Sequence, residues 1–288
     1  MAFPPAYHGV ETGDPAMPPL SDILIFSAAL IAAGGVAGFL AGLFGVGGGA
    51  ILVPVFYQVY GLLGVPDSVR THVAVGTSLA VIVPTSIRSF NAHRRRGAVD
   101  MGLLRNWLVW IPLGTVLASV VAASVSGEVL RIVFMTLALL IAFKMFFNRE
   151  SWRFGTEMPG GAANAVAGGT IGLLSGLMGI GGGTLCNLWM TLWNRSVHQS
   201  VATSSGVGAL ISIPGLFGYV WAGWGNPGLP PFSTGFVNWI TVLLVIPLTL
   251  VVAPLGVRLA HALTRRQLEV GFGLFLLVVA IRFFVSLF

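Results

Sequence analysis

The chain has 288 residues, of which 56% are hydrophobic and only 8% are charged, against about 25% charged residues in a typical soluble domain. That balance cannot cover a water-facing surface, so an ordinary soluble enzyme, a disordered chain and a nucleic-acid module are excluded. The net charge of +6 is carried in short loops between apolar runs, the pattern of a membrane protein with basic loops.

Residues 1–20 hold no Lys or Arg and are rich in Pro. A signal peptide opens with positive charge, so the expectation is a short mature tail. Five apolar segments follow, near 21–44, 49–64, 72–90, 102–124 and 129–147. After a linker at 148–159 come five more, near 160–178, 182–194, 198–222, 236–260 and 267–287. The runs are continuously apolar, which argues for helices rather than the alternating strands of a membrane barrel. One cysteine, Cys186, excludes a disulfide framework or a cysteine metal site. No metal or cofactor is expected.

The two sets of segments are copies. Residues 34–49 read GGVAGFLAGLFGVGGG and residues 168–183 read GGTIGLLSGLMGIGGG. All eight glycines coincide without a gap. Further on, His72, Val75, Thr77 and Ser78 match His198, Val201, Thr203 and Ser204. Gly97, Val99, Leu130 and Phe134 match Gly235, Val237, Leu268 and Phe272. The repeats run over 21–147 and 160–288. Taking alternate sides, only Arg70, Arg131 and Arg282 fall on one side, and the remaining Lys and Arg fall on the other. The basic side is expected in the cytoplasm, which puts both termini outside. Because five is odd, the second copy must insert upside down relative to the first. The fold class expected is therefore an all-α polytopic membrane protein of about ten segments, in two inverted five-segment repeats with Gly-rich helix breaks. That is a plan of secondary transporters.

Gly34, Gly38 and Gly42, with Gly168, Gly172 and Gly176, recur every fourth residue and read as close helix contacts. Gly47, Gly48 and Gly49, with Gly181, Gly182 and Gly183, break the helix. The segments after them are short, so the break dips into the membrane, where non-helical backbone must be buried in protein or line a wet cavity. A helix start of this kind offers free N–H groups and a positive dipole end to an anion. The bland alternative is a tight turn where helices cross. Thr77, Ser78, Thr203 and Ser204 lie at matching places and are candidate donors that add no fixed charge; the alternative is a bond back to the preceding turn. Thr184 and Asn187 add donors in the second copy. His72 and His198 are the paired candidates for a coupling proton, or else polar residues at helix starts. Trp107, Trp110 and Trp189 read as an interfacial belt. A dinucleotide fingerprint at Gly45-x-Gly47 is rejected, because it follows a helical run.

GLFGVGGGAILVP, GLMGIGGGT, the VGTS of Val75–Ser78 and the RRRGAVD of Arg94–Asp100 resemble the TauE/SafE sulfite exporter family, also called the 4-toluene sulfonate uptake permease family. The resemblance covers residues 22–287. It implies a bacterial-type inner-membrane permease whose substrate is a small sulfur-containing anion such as sulfite, thiosulfate, sulfoacetate or another organosulfonate. The partners expected are that anion, the lipid bilayer and a coupling proton, with no nucleic acid. Rival readings are an anion channel, a permease for another small organic anion, an intramembrane enzyme and a membrane scaffold. No Ser/His pair, HExxH or paired carboxylate within the membrane supports the enzyme.

Overall fold

The computed structural model describes residues 20–44, 48–147, 154–155 and 157–287. These form ten helices: α1 (Leu20–Phe44), α2 (Gly49–Leu62), α3 (Asp67–Arg95), α4 (Met101–Ser124), α5 (Gly127–Phe147), α6 (Gly161–Met178), α7 (Gly183–Leu192), α8 (Val197–Ala222), α9 (Trp239–Ala262) and α10 (Arg265–Val285). Seven of them, α3 to α6 and α8 to α10, are long and apolar enough to cross a membrane. Helices α2 and α7 have 14 and 10 residues. At 1.5 Å per residue they reach only about 21 and 15 Å, short of the ~30 Å hydrocarbon core.

The helix starts follow local chemistry. Asp100, Ser196 and Asn238 accept hydrogen bonds from Leu103, Gln199 and Thr241 N–H at the starts of α4, α8 and α9. Thr264 and Gln267 form a reciprocal capping box at α10, which satisfies amides that a helix start leaves orphaned. Two differences from the sequence reading stand out. Helix α3 begins at Asp67 rather than at 72, so Asp67 and Arg70 belong to the helix. The segment expected from near 236 opens as strand: β2 (Val237–Asn238) pairs antiparallel with β1 (Ser233–Thr234), and α9 starts at Trp239.

Helix directions are fixed by the close contacts. A Cβ at Gly38 would lie 2.8 Å from Thr249 Cα, and Gly34 and Gly42 meet Val245 and Ala253. Residue numbers rise together, so α1 and α9 run parallel. Gly168, Gly172 and Gly176 meet Trp107, Ile111 and Thr115 with Ala118, so α6 and α4 also run parallel. Helices α3 and α8 run antiparallel: Gly208 meets Ser86 and Gly215 meets Leu79. So do α5 and α10, where Phe134 packs edge-on against Phe283 at 5.2 Å and Gly273 meets Met145 and Phe146.

Burial follows hydropathy in reverse. The spans most buried in protein are α3, α6 and α8, while the more apolar α4, α5, α9 and α10 expose most of their surface. Leu108, Leu113, Val116 and Val120 make such an outer stripe on α4. In lipid, apolar side chains gain nothing by burial, and helices pack through small residues and hydroxyls. Trp107 departs from the interfacial reading. It is fully buried, and its Nε1 donates to the Asn164 carbonyl at 2.9 Å.

Candidate functional site

The site is built where the glycine breaks meet. Helices α2 and α7 start after Gly48 and Gly182, both in the left-handed half of backbone space (φ 74° and 69°), and neither start has a side-chain cap. The missing cap separates them from α4, α8, α9 and α10, and the left-handed glycine separates them from α3 and α6, which also start without a side-chain cap after Pro66 and Gly160. The first amides of α2 and α7 are the ones a dipole end would offer to an anion.

The second break is pressed against the first half of the chain. A Cβ at Gly49 would lie 2.7 Å from both the Gly179 carbonyl oxygen and Ile180 Cα. Ser78 Oγ donates to the Gly179 carbonyl at 3.0 Å. A Cβ at Gly181 would lie 2.9 Å from Ile82 Cγ2 and 3.6 Å from Gly208 Cα. So the start of α2, the α6–α7 turn and the crossing of α3 with α8 share one place. Gly48, Gly49, Ser78, Gly181, Gly182 and Gly183 are brought together there. Gly47, with Gly45 and Val46, lies outside the described residues.

Thr184 is buried at the start of α7, and its hydroxyl has no partner among the described residues; the same holds for Asn187 Oδ1, one turn on. Three hydroxyls that sequence reasoning missed share this state: Ser175 on α6, Ser212 on α8 and, away from the breaks beside Gly127, Thr71 on α3. Ser175 lies beside Gly182, whose Cβ would come 3.7 Å from its Oγ. The repeat does not single out either Ser175 or Ser212. Ser175 stands where the first copy has Ala41, and Ser212 is the repeat mate of Ser86. A buried hydroxyl left unpaired costs about 1–3 kcal/mol, so Ser175 and Thr184, on either side of Gly182, mark a place where polar atoms await a partner.

Thr77 and Thr203 do something else. Thr77 Oγ1 accepts from Asn238 N–H at 3.0 Å and from Tyr60 Oη at 3.3 Å. Thr203 Oγ1 accepts from Asp100 N–H at 2.9 Å. Asn238 and Asp100 are the caps of α9 and α4, so each threonine ties its own half to the capping residue of the other. Ser204 Oγ bonds back to the Val201 carbonyl at 2.9 Å. Thr77→Val is expected to destabilise the protein by about 2 kcal/mol, because the Asn238 amide is fully buried and would be left unpaired. Thr203→Val is expected to cost less, because Asp100 is only partly buried and water can substitute. Thermal unfolding of the two variants in detergent checks the order.

The histidines are not equivalent. His72 is buried, with Nε2 at 3.1 and 3.2 Å from the Ala122 and Val125 carbonyls at the end of α4, and its ring stacks on Phe236. His198 is exposed at the start of α8. Neither adjoins the glycine breaks through a contact described above.

Residues 30–283 match the model of a family described as the sulfite exporter TauE/SafE. The chain belongs to the TauE/SafE family. Curated relatives support the assignment. The chain is 32% identical over 253 residues to a "probable membrane transporter protein" of Haemophilus influenzae, covering 88% of this chain and 96% of that one. It is 27% identical to a protein of the same description from Methanocaldococcus jannaschii, covering 86% and 92%. Against YdhB of Bacillus subtilis, also so described, it is 25% identical, covering 81% and 89%. No solved structure matches the chain. TauE/SafE membership makes this a membrane transporter, and seven apolar helices agree with a multi-pass chain.

Proposed function

We propose that this TauE/SafE protein carries a small sulfur-containing anion, such as sulfite, thiosulfate, sulfoacetate or another organosulfonate, across the inner membrane by alternating access. The carrier is built from two inverted five-helix halves, α1–α5 and α6–α10, with both termini outside. The helix directions support this plan: α3 and α8, which are repeat mates, run antiparallel, as do the mates α5 and α10. The pairing of α1 with α9 and of α6 with α4 is the same contact with the halves exchanged. A two-fold axis lying in the membrane plane relates such halves.

The observation that carries the substrate reading is the pair of uncapped helix starts at Gly48 and Gly182, with the unpartnered hydroxyls of Ser175 and Thr184 beside the second of them. Amides and hydroxyls donate to a sulfonyl or sulfite oxygen, and no carboxylate of the described residues stands among them to repel it. Gly182 itself is a poor probe, because a Cβ there would collide with Ile211 and lie 2.7 Å from Val207 Cγ1. Thr184→Val separates binding from folding. Removing an unpaired buried hydroxyl leaves stability unchanged or raised. If Thr184 holds the anion, affinity falls about tenfold for one lost hydrogen bond. The check is the thermal shift given by sulfite, thiosulfate, sulfoacetate, taurine and sulfate to purified wild type and variant. A wild type that no anion stabilises, or a variant that binds equally well, contradicts the proposal.

A further inference from the structure

The face of α3 turned away from α8 carries a second feature, unrelated to the glycine breaks. Leu79 and Ser86 face α8. On the opposite side a cavity of about 630 Å³ is lined by Pro84, Ile87, Arg88, Asn91, Ala92 and Arg95. These positions fall on one stripe of the helix. The stripe is graded: Pro84 and Ile87 lie toward the middle of the span, whereas Arg88, Asn91 and Arg95 follow toward the end that continues into Arg96. All three polar residues are exposed, and neither arginine makes an ion pair with a described residue. Arg88 and Arg95 stand about 10 Å apart along the helix.

The repeat mate of this stripe sharpens the contrast. Ile213, Pro214, Phe217 and Trp221 occupy the matching places on α8, and Phe217 and Trp221 are widely exposed without any cation. Helix packing therefore does not need arginines at these positions, although in the inverted arrangement the mate stripe lies at the opposite membrane face.

We infer that Arg88, Asn91 and Arg95 form an oxyanion site for the phosphate of an anionic phospholipid in the leaflet on the arginine-rich side. The acyl chains lie along Ile87 and Pro84, and the guanidiniums hold the headgroup. Basic pockets against membrane helices bind anionic headgroups in this way, and arginine presents paired donors to phosphate. A free anion would share the headgroup chemistry but gain nothing from the apolar end of the stripe. The inference does not depend on which anion the protein carries.

The test uses purified full-length protein in a neutral detergent. Short-chain phosphatidylglycerol should raise the melting temperature about 3 °C more than short-chain phosphatidylcholine. Inorganic phosphate at the same concentration should give no such rise. In R88Q/R95Q the difference between the two lipids should vanish while the melting temperature without lipid is kept. If that pair folds poorly, R95Q alone should halve the difference. An equal effect of the two lipids, a difference that survives in the variants, or a full rise with phosphate alone would overturn the inference.

Discussion

Asp67→Ala is expected to destabilise the protein by about 3 kcal/mol, and Arg131→Met by less. The ion pair they form is asymmetric. Arg131 is buried, while Asp67 is half exposed, with Nη2 to Oδ2 at 2.7 Å. Arg131 Nη1 also donates to Tyr57 Oη at 2.6 Å and to the Ser286 carbonyl at 3.0 Å. Arg70 pairs with Asp67 at 3.3 Å, and both guanidiniums lie over the Tyr57 ring. One cluster therefore joins α2, α3, α5 and the end of α10. Removing Asp67 strands a buried cation, the costly way to break such a pair. Removing Arg131 leaves a carboxylate that water and Arg70 can serve, and a Met of similar length fills the space. Unfolding of both variants in detergent measures the order. Equal losses, or a larger loss for Arg131→Met, would show that the cluster is not held by this charge balance.

The repeated glycines are expected to split into two classes of opposite sign. Gly172→Leu should lower stability by about 3 kcal/mol, the upper end of ordinary overpacking, because a Cβ there meets the Ile111 carbonyl of α4. Gly42→Leu should do the same against Ala253 of α9. Gly35 and Gly169 belong to the same strings, yet a Cβ at Gly35 meets nothing within 4 Å and one at Gly169 only the Trp110 carbonyl at 3.9 Å. Alanine there should raise stability by up to about 1 kcal/mol, the helix propensity that glycine lacks. Melting temperatures of the four variants decide it. A uniform loss at all four positions would mean that the whole string is packed, contrary to the contacts described.

Much of this fold is legible in the sequence, because membrane spans are read from composition and the repeat doubles every signal. The segment ends agree with the helices to within a turn or so, and the short segments after Gly47–Gly49 and Gly181–Gly183 are short helices. What escapes is chemistry between distant residues. Asp67 and Arg70 look like loop residues until Arg131 and Tyr57 are seen beside them. Trp107 looks interfacial, but its partner Asn164 lies on another helix. Thr77 and Thr203 are visible as a matched pair, while their bonds to the caps Asn238 and Asp100 in the opposite halves are not. Ser175 and Ser212 look like ordinary helix hydroxyls, and only burial without a partner separates them from Thr115 or Ser119, which bond back to their own helix.

The opposed orientation proposed for the two halves is open to direct measurement. Ser126 and Thr264 are repeat mates, each at the start of a helix and each exposed, before α5 and before α10. The native Cys186 is fully buried and gives no background. Single cysteines at these two positions, in intact cells treated with a membrane-impermeant maleimide, should label from opposite sides. S126C should react before lysis, and T264C only after it. Labelling of both from the same side would contradict the inverted arrangement and the carrier built on it.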